Sequence, residues 1–158
     1  MQHGSFMYYI AIVAEEPVAA DVQALKEEML SQFGCKAAMK SPAHITLIAP
    51  FYFSKGMSKI LLDTFFHFES GLDAFDISVD GFGHFRRDVL FVQPIANPTL
   101  MLLQEKAVHY FSALLGDKIS SKRNFHPHIT IANRDLKSED FDAAWALFKD
   151  RPYTASWT

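Results

Sequence analysis

Two short stretches of the chain set the same four kinds of residue in the same order. "SPAHITLIAPF" carries His44, Ile45, Thr46 and Leu47, and "FHPHITIAN" carries His128, Ile129, Thr130 and Ile131. A proline stands close before each motif, Pro42 in one and Pro127 in the other. On a strand, residues two apart share a face. His44 therefore joins Thr46, His128 joins Thr130, and the aliphatic partners turn the opposite way. Two imidazoles suit a reaction that removes one proton and delivers another on opposite sides of a centre. Histidine's ordinary pKa of about 6.5 allows one ring to be neutral and the other charged near neutral pH. A threonine hydroxyl donates one hydrogen bond, which suits a non-bridging phosphate oxygen as charge builds on it. Opening a ribose 2′,3′-cyclic phosphate makes these demands. One histidine activates water or an alcohol, and the other protonates the departing ribose oxygen. The sequence leaves open which histidine takes which part.

No metal or other cofactor is needed for this chemistry. His126, two residues before His128, offers a third imidazole for zinc together with His44. No matching carboxylate or cysteine pattern stands beside these histidines, so the expectation is no metal site and an exposed or supporting His126. Cys35 is the only cysteine, which rules out an internal disulfide and a cysteine-based zinc site. His3, His67, His84 and His109 read as surface or packing residues.

The elements that must position the motifs are legible in outline. "FMYYIAIVA" reads as a buried strand, Phe6 to Ala14. Val18, Val22, Leu25, Met29 and Phe33 then recur at helical spacing, with Gly34 as the stop. A second strand is expected over Cys35 to Met39, resuming at Ala43 to Phe51 after "KSP". Leu61, Phe65, Phe68 and Leu72 predict a helix over Met57 to Gly71. From Phe75 the period changes to two, and "FRRDVLFVQPI" returns as the second arm of a hairpin with Arg86 and Arg87 at its turn. Leu100, Leu103, Ala107, Phe111 and Leu114 mark the longest helix, ended by Gly116. The second motif forms a strand over Pro127 to Asn133, and Ser138 opens a last helix buried on Phe141, Ala144, Trp145 and Phe148. "PYTASWT" has strand composition and is expected to form the last strand without its full length.

The chain of 158 residues fits one domain, 1–158, with a continuous core. Its apolar fraction is 49 % and its charged fraction 21 %, both ordinary for a globular protein, and fifteen phenylalanines foretell a core built partly from rings. The net charge of −3 gives no global basic field for a long nucleic acid, so phosphate recognition must be local. Lys118, Lys122 and Arg123 cluster before the second motif. Of these, Arg123 is the preferred substrate contact, with Lys122 and Arg86 behind it. Phe51, Tyr52 and Phe53 follow the first motif, and Phe51 is a candidate ring for stacking on a base. The opening residues lack the basic flank and cleavage pattern of a signal segment, and a cytoplasmic location is expected.

The paired H-x-T-hydrophobic motifs, His44-Ile45-Thr46-Leu47 and His128-Ile129-Thr130-Ile131, resemble those of the two-histidine (2H) phosphoesterase superfamily, which includes 2′-5′ RNA ligase-like proteins and cyclic nucleotide phosphodiesterases. The likeness runs from "MYYIAIVAEEP" to the last helix, and "GFGHF" is similar to a third landmark with Phe85 at its aromatic position. The resemblance implies an α+β, bilobal, pseudo-twofold domain with two small, mainly antiparallel sheets lining a central cleft and helices outside. It implies His44 and His128 as acid and base, Thr46 and Thr130 as phosphate binders, and Phe85 as a substrate contact. The implied substrate is a small nucleotide or RNA terminus carrying a cyclic or 2′-5′ phosphodiester, handled by a monomer away from membranes and long duplexes. A nucleotide- or RNA-end-binding module with little turnover is the alternative. Relatives place an arginine directly after the small residue of the second motif. Here Asn133 stands there and Arg134 follows, a shift that changes face on a strand.

Overall fold

The apolar stripe at Val18, Val22, Leu25 and Met29 forms one side of a sixteen-residue helix, α1 (Val18–Phe33), and all four residues are buried. Gly34 ends it in the left-handed conformation, φ 71°, and its N–H bonds the Leu30 carbonyl. The computed structural model describes residues 4–119 and 124–158. Around α1 the chain folds as β1 (Ser5–Val13), α1, β2 (His44–Ser54), α2 (Ser58–Phe66), β3 (Ile77–Phe85), β4 (Val89–Pro94), α3 (Pro98–Leu115), β5 (Ile129–Ala132), α4 (Phe141–Phe148) and β6 (Thr154–Trp157).

The strands make two sheets. β1 and β2 pair alone, and the order of the second is β5-β4-β3-β6. Hydrogen bonds from Ala14 N–H to the Ala43 carbonyl and from Lys55 N–H to the Gly4 carbonyl flank the first pair and make it antiparallel. All three pairings in the second sheet are antiparallel. The architecture is thus α+β with two antiparallel sheets, and each sheet holds one of the repeated motifs.

The described chain groups into two compact units. One comprises Met1–Ile12, Thr46–Asp73 and Pro98–His126, and the other Val13–Ile45, Ala74–Asn97 and Pro127–Thr158. The core of the first is Ile48, Phe51, Phe53, Leu61, Ala107, Phe111 and Leu115. In the second, α1 packs on β5, while Phe82 of β3 meets Phe148 of α4 at 5.1 Å between ring centroids. Leu90, Val92, Ile129 and Ile131 are all buried in this second unit.

Three expectations need correction. β1 is not a buried strand: Phe6, Met7, Tyr9 and Val13 are exposed, because β1 lies in a sheet of only two strands. Cys35–Met39 is not a strand, because Ala37–Lys40 is a 3-10 turn. The Asp135 carboxylate accepts the Lys36 and Ala37 N–H groups at 2.6 and 2.9 Å and holds the turn from far along the chain. Helix α2 stops at Phe66 rather than Gly71. There Phe68 N–H turns back to the Phe65 carbonyl, and the Phe68 ring settles 5.5 Å from Phe111 and 5.1 Å from Tyr110. The hairpin is where the sequence put it: β3 runs through "GFGHF" to Phe85. A three-residue turn follows, with Arg86 at φ 47°.

Candidate active site

The second sheet presents two unlike faces. Register sets Thr130 opposite Phe91 and Phe91 opposite Gly83, so these three form one row across β5, β4 and β3. Paired residues share a face, and here it is the face where a Gly83 side chain would stand. A Cβ on Gly83 would lie 2.5 and 2.7 Å from two atoms of the Phe91 ring. Glycine leaves that ring room to lie against β3, and any side chain there would collide with it. The next row, Ile129, Val92 and Phe82, points to the helices of the same unit.

His128 stands one residue before β5. Its ring meets the edge of Phe85 at 4.9 Å and 84°, and lies 5.4 Å from Phe91. Phe85 and Phe91 are themselves 4.5 Å apart. Two phenylalanines from neighbouring strands thus form a corner in which the imidazole sits. Phe85, which the sequence pointed to as a substrate contact, is half-buried and stands against the His128 ring. Phe91 and Gly83 escaped sequence reasoning altogether. Their signal was available only as a pair, a glycine and a ring on adjacent strands, and required knowing the hairpin register.

His44 is held differently. Its Nδ1 lies 2.8 Å from the Pro42 carbonyl oxygen. A carbonyl only accepts, so Nδ1 carries the proton and the lone pair of the neutral ring falls on Nε2. Both His44 and Thr46 are half-buried, while Ile45 and Leu47 are buried, as the period of two requires. The pair straddles a boundary: Ile45 closes a segment of the second unit, and Thr46 opens one of the first. His44, His128, Thr130 and Phe85 all belong to the second unit.

The remaining candidates divide. Phe51 is 4 % exposed, in the core of the first unit beside Tyr8 at 6.2 Å. β2 continues through Pro50 to Ser54, so the strand carries Phe51 inward, and the stacking role expected for it does not hold. Lys122 and Arg123 lie outside the described residues. Arg86 is exposed, 3.4 Å from Asp88. His126 is exposed, and His84 packs against Phe141 and Trp145 at 5.1 and 4.9 Å. Because β5 ends at Ala132 and Arg134 takes φ 62°, strand parity no longer governs where that arginine points. Among the described residues no three His, Cys, Asp or Glu side chains converge as a metal-binding group, and no helix is long and apolar enough to cross a membrane.

Comparison with known proteins settles the family. The model of the 2′-5′ RNA ligase superfamily matches residues 14–158. The chain belongs to that superfamily. Membership supports a phosphoesterase or ligase-like enzyme. The fold agrees with a solved structure, TT0787 of Thermus thermophilus, with a TM-score of 0.60 at 21 % identity over 96 % of this chain and 82 % of that one. No curated protein matches. For this member of the 2′-5′ RNA ligase superfamily, the match covers both histidine motifs and all of β2 to β6.

Proposed function

We propose that the protein is a metal-independent phosphoesterase that opens 2′,3′-cyclic or 2′-5′ phosphodiesters of nucleotides or RNA ends by two-histidine acid–base catalysis. The observation that carries this reading is the tether on His44. With Nδ1–H committed to the Pro42 carbonyl, Nε2 is presented as the proton-exchanging atom, as a general base or acid requires. The aromatic corner around His128 serves the same end, because it restricts the tilt of the second ring.

In hydrolysis one imidazole takes a proton from water as the water oxygen bonds to phosphorus. The P–O bond to one ribose oxygen breaks, and the other imidazole gives that oxygen a proton. The product is a phosphate monoester, and the two rings have exchanged charge states. Thr46 and Thr130 donate hydrogen bonds to the non-bridging oxygens, where negative charge gathers. The substrate is a small nucleotide or RNA terminus. Working against the joining direction, water replaces a second ribose hydroxyl as the attacking group.

The test is phosphorus NMR of the purified protein with nucleoside 2′,3′-cyclic phosphates, ADP-ribose 1″,2″-cyclic phosphate and 2′-5′ dinucleotides, in the presence of EDTA. Conversion of a cyclic ester to a monoester is expected, with a bell-shaped pH profile. Absence of turnover with all of them, together with AMP-induced chemical shifts, would move the protein to the binding-module reading. Turnover abolished by EDTA would overturn the metal-free mechanism.

A further inference from the structure

Helix α1 buries a charge among its apolar residues. Lys26 is 2 % exposed on the stripe that also carries Val22, Leu25 and Met29. Among the described residues it is the one charged side chain in the buried set. Its Nζ donates to the Ser41 carbonyl at 2.8 Å. Three residues after Ser41 stands His44.

The segment between them has few ways to move. Ser41 is extended, φ −135° and ψ 151°, the conformation that a following proline favours. Pro42 has a fixed φ. Ala43 is 6 % exposed, and its carbonyl accepts the Ala14 N–H at 2.9 Å. The carbonyls on either side of Pro42 are therefore pinned, one by Lys26 and one by Ala14. The Pro42 carbonyl between them receives the His44 Nδ1–H. We propose that Lys26 is a positioning residue for His44: its buried ammonium holds the Ser41 carbonyl, and so aims the Pro42 carbonyl that sets the imidazole's tautomer and tilt.

Burial lowers the Lys26 pKa from the ordinary lysine value, as expected for an ammonium withdrawn from water. An apolar side chain of similar length would suit the stripe better, so packing alone gives no reason for the lysine. An ammonium offers three rotatable donors on a flexible stem, and a methionine offers none. The consequence for catalysis rests on the proposed acid–base role of His44; the consequence for the ring does not.

Lys26→Met separates the two. Nitrogen-15 spectra of the imidazoles, with His44 assigned by its own variant, are expected to show Nδ1-protonated His44 in the parent protein and a mixture of tautomers in Lys26→Met. With the best cyclic substrate, kcat falls about tenfold or more while KM changes less than about twofold, the pattern for a transition-state loss. Circular dichroism and the melting temperature stay the same or rise. Lys26→Gln, which restores a donor, recovers kcat and the single tautomer, and Lys26→Leu, which also lacks a donor, carries the test if Lys26→Met does not fold. An unchanged tautomer, or an unchanged kcat with an altered tautomer, overturns the proposal. If the parent protein turns over no substrate, the proposed function fails, and the tautomer spectra alone still decide whether Lys26 aims the ring.

Discussion

The two histidine motifs are nearly the same in sequence, and different neighbours stand beside their two rings. His44 is fixed by polar groups of its own approach: the Pro42 carbonyl takes its Nδ1–H, and Lys26 and Ala14 pin the carbonyls on either side. His128 sits in a corner shaped by Phe85 and Phe91 over Gly83. A hydrogen bond selects a tautomer, whereas ring contacts restrict tilt. The difference teaches that the tetrapeptide encodes only which face a ring takes. Its orientation comes from neighbours that the tetrapeptide does not contain.

The comparison breaks outright if one motif proves dispensable. His44→Ala and His128→Ala are each expected to lower kcat by roughly 10²–10⁴-fold, the range for loss of a general acid or base, with circular dichroism unchanged. Loss confined to one of them would show that the second imidazole is structural.

Next comes the packing around His128. Gly83→Ala drives a Cβ into a ring that is 2 % exposed and has little room to yield. A loss of roughly 1–3 kcal/mol in urea unfolding is expected, with kcat down about tenfold, as a barrier rise near about 1.4 kcal/mol gives. Phe85→Leu keeps most of the volume and removes the edge-to-face contact, worth about 0.5–1.5 kcal/mol. It should lower kcat less than Gly83→Ala and leave the His44 imidazole nitrogen signals in place. Movement of those signals would mean that the two rings are not held independently.

On the His44 side, Asp135→Ala strips the partner from the Lys36 and Ala37 N–H groups at the turn before the motif. A loss of about 1.5–3 kcal/mol is expected by urea unfolding, as for hydrogen bonds to a charged group. The smallest effect is read at Cys35, the buried thiol beside that turn. Burial, and then the charges of Asp135 and Asp140, push its pKa up to about 11. Below about pH 9 the thiol is protonated whether the chain is folded or unfolded. Between about 9 and 11 the unfolded chain gives up the proton first, so stability falls as pH rises through that window. At neutral pH the thiol should react slowly with Ellman's reagent, and faster in Asp135→Ala. Equal rates would show that the turn stays closed without its carboxylate.

The sequence by itself determined the local pattern. Both His–Thr pairs, the period of two at Ile45 and Leu47, the stripe and glycine stop of α1, and the hairpin turn at Arg86 and Arg87 all depend on spacing within a few residues, and spacing is written in the chain. Only the tertiary structure decided what surrounds those pairs. Asp135 stands 99 positions from the Lys36 N–H it accepts, and no local rule links them. The buried strand course that took Phe51 into the core, the Gly83–Phe91 register and the reach of Lys26 to Ser41 are likewise contacts between separate elements. A strand's periodicity says which way a side chain points. What it meets there depends on which other strand or helix arrives, and that is settled when the whole chain buries its apolar surface.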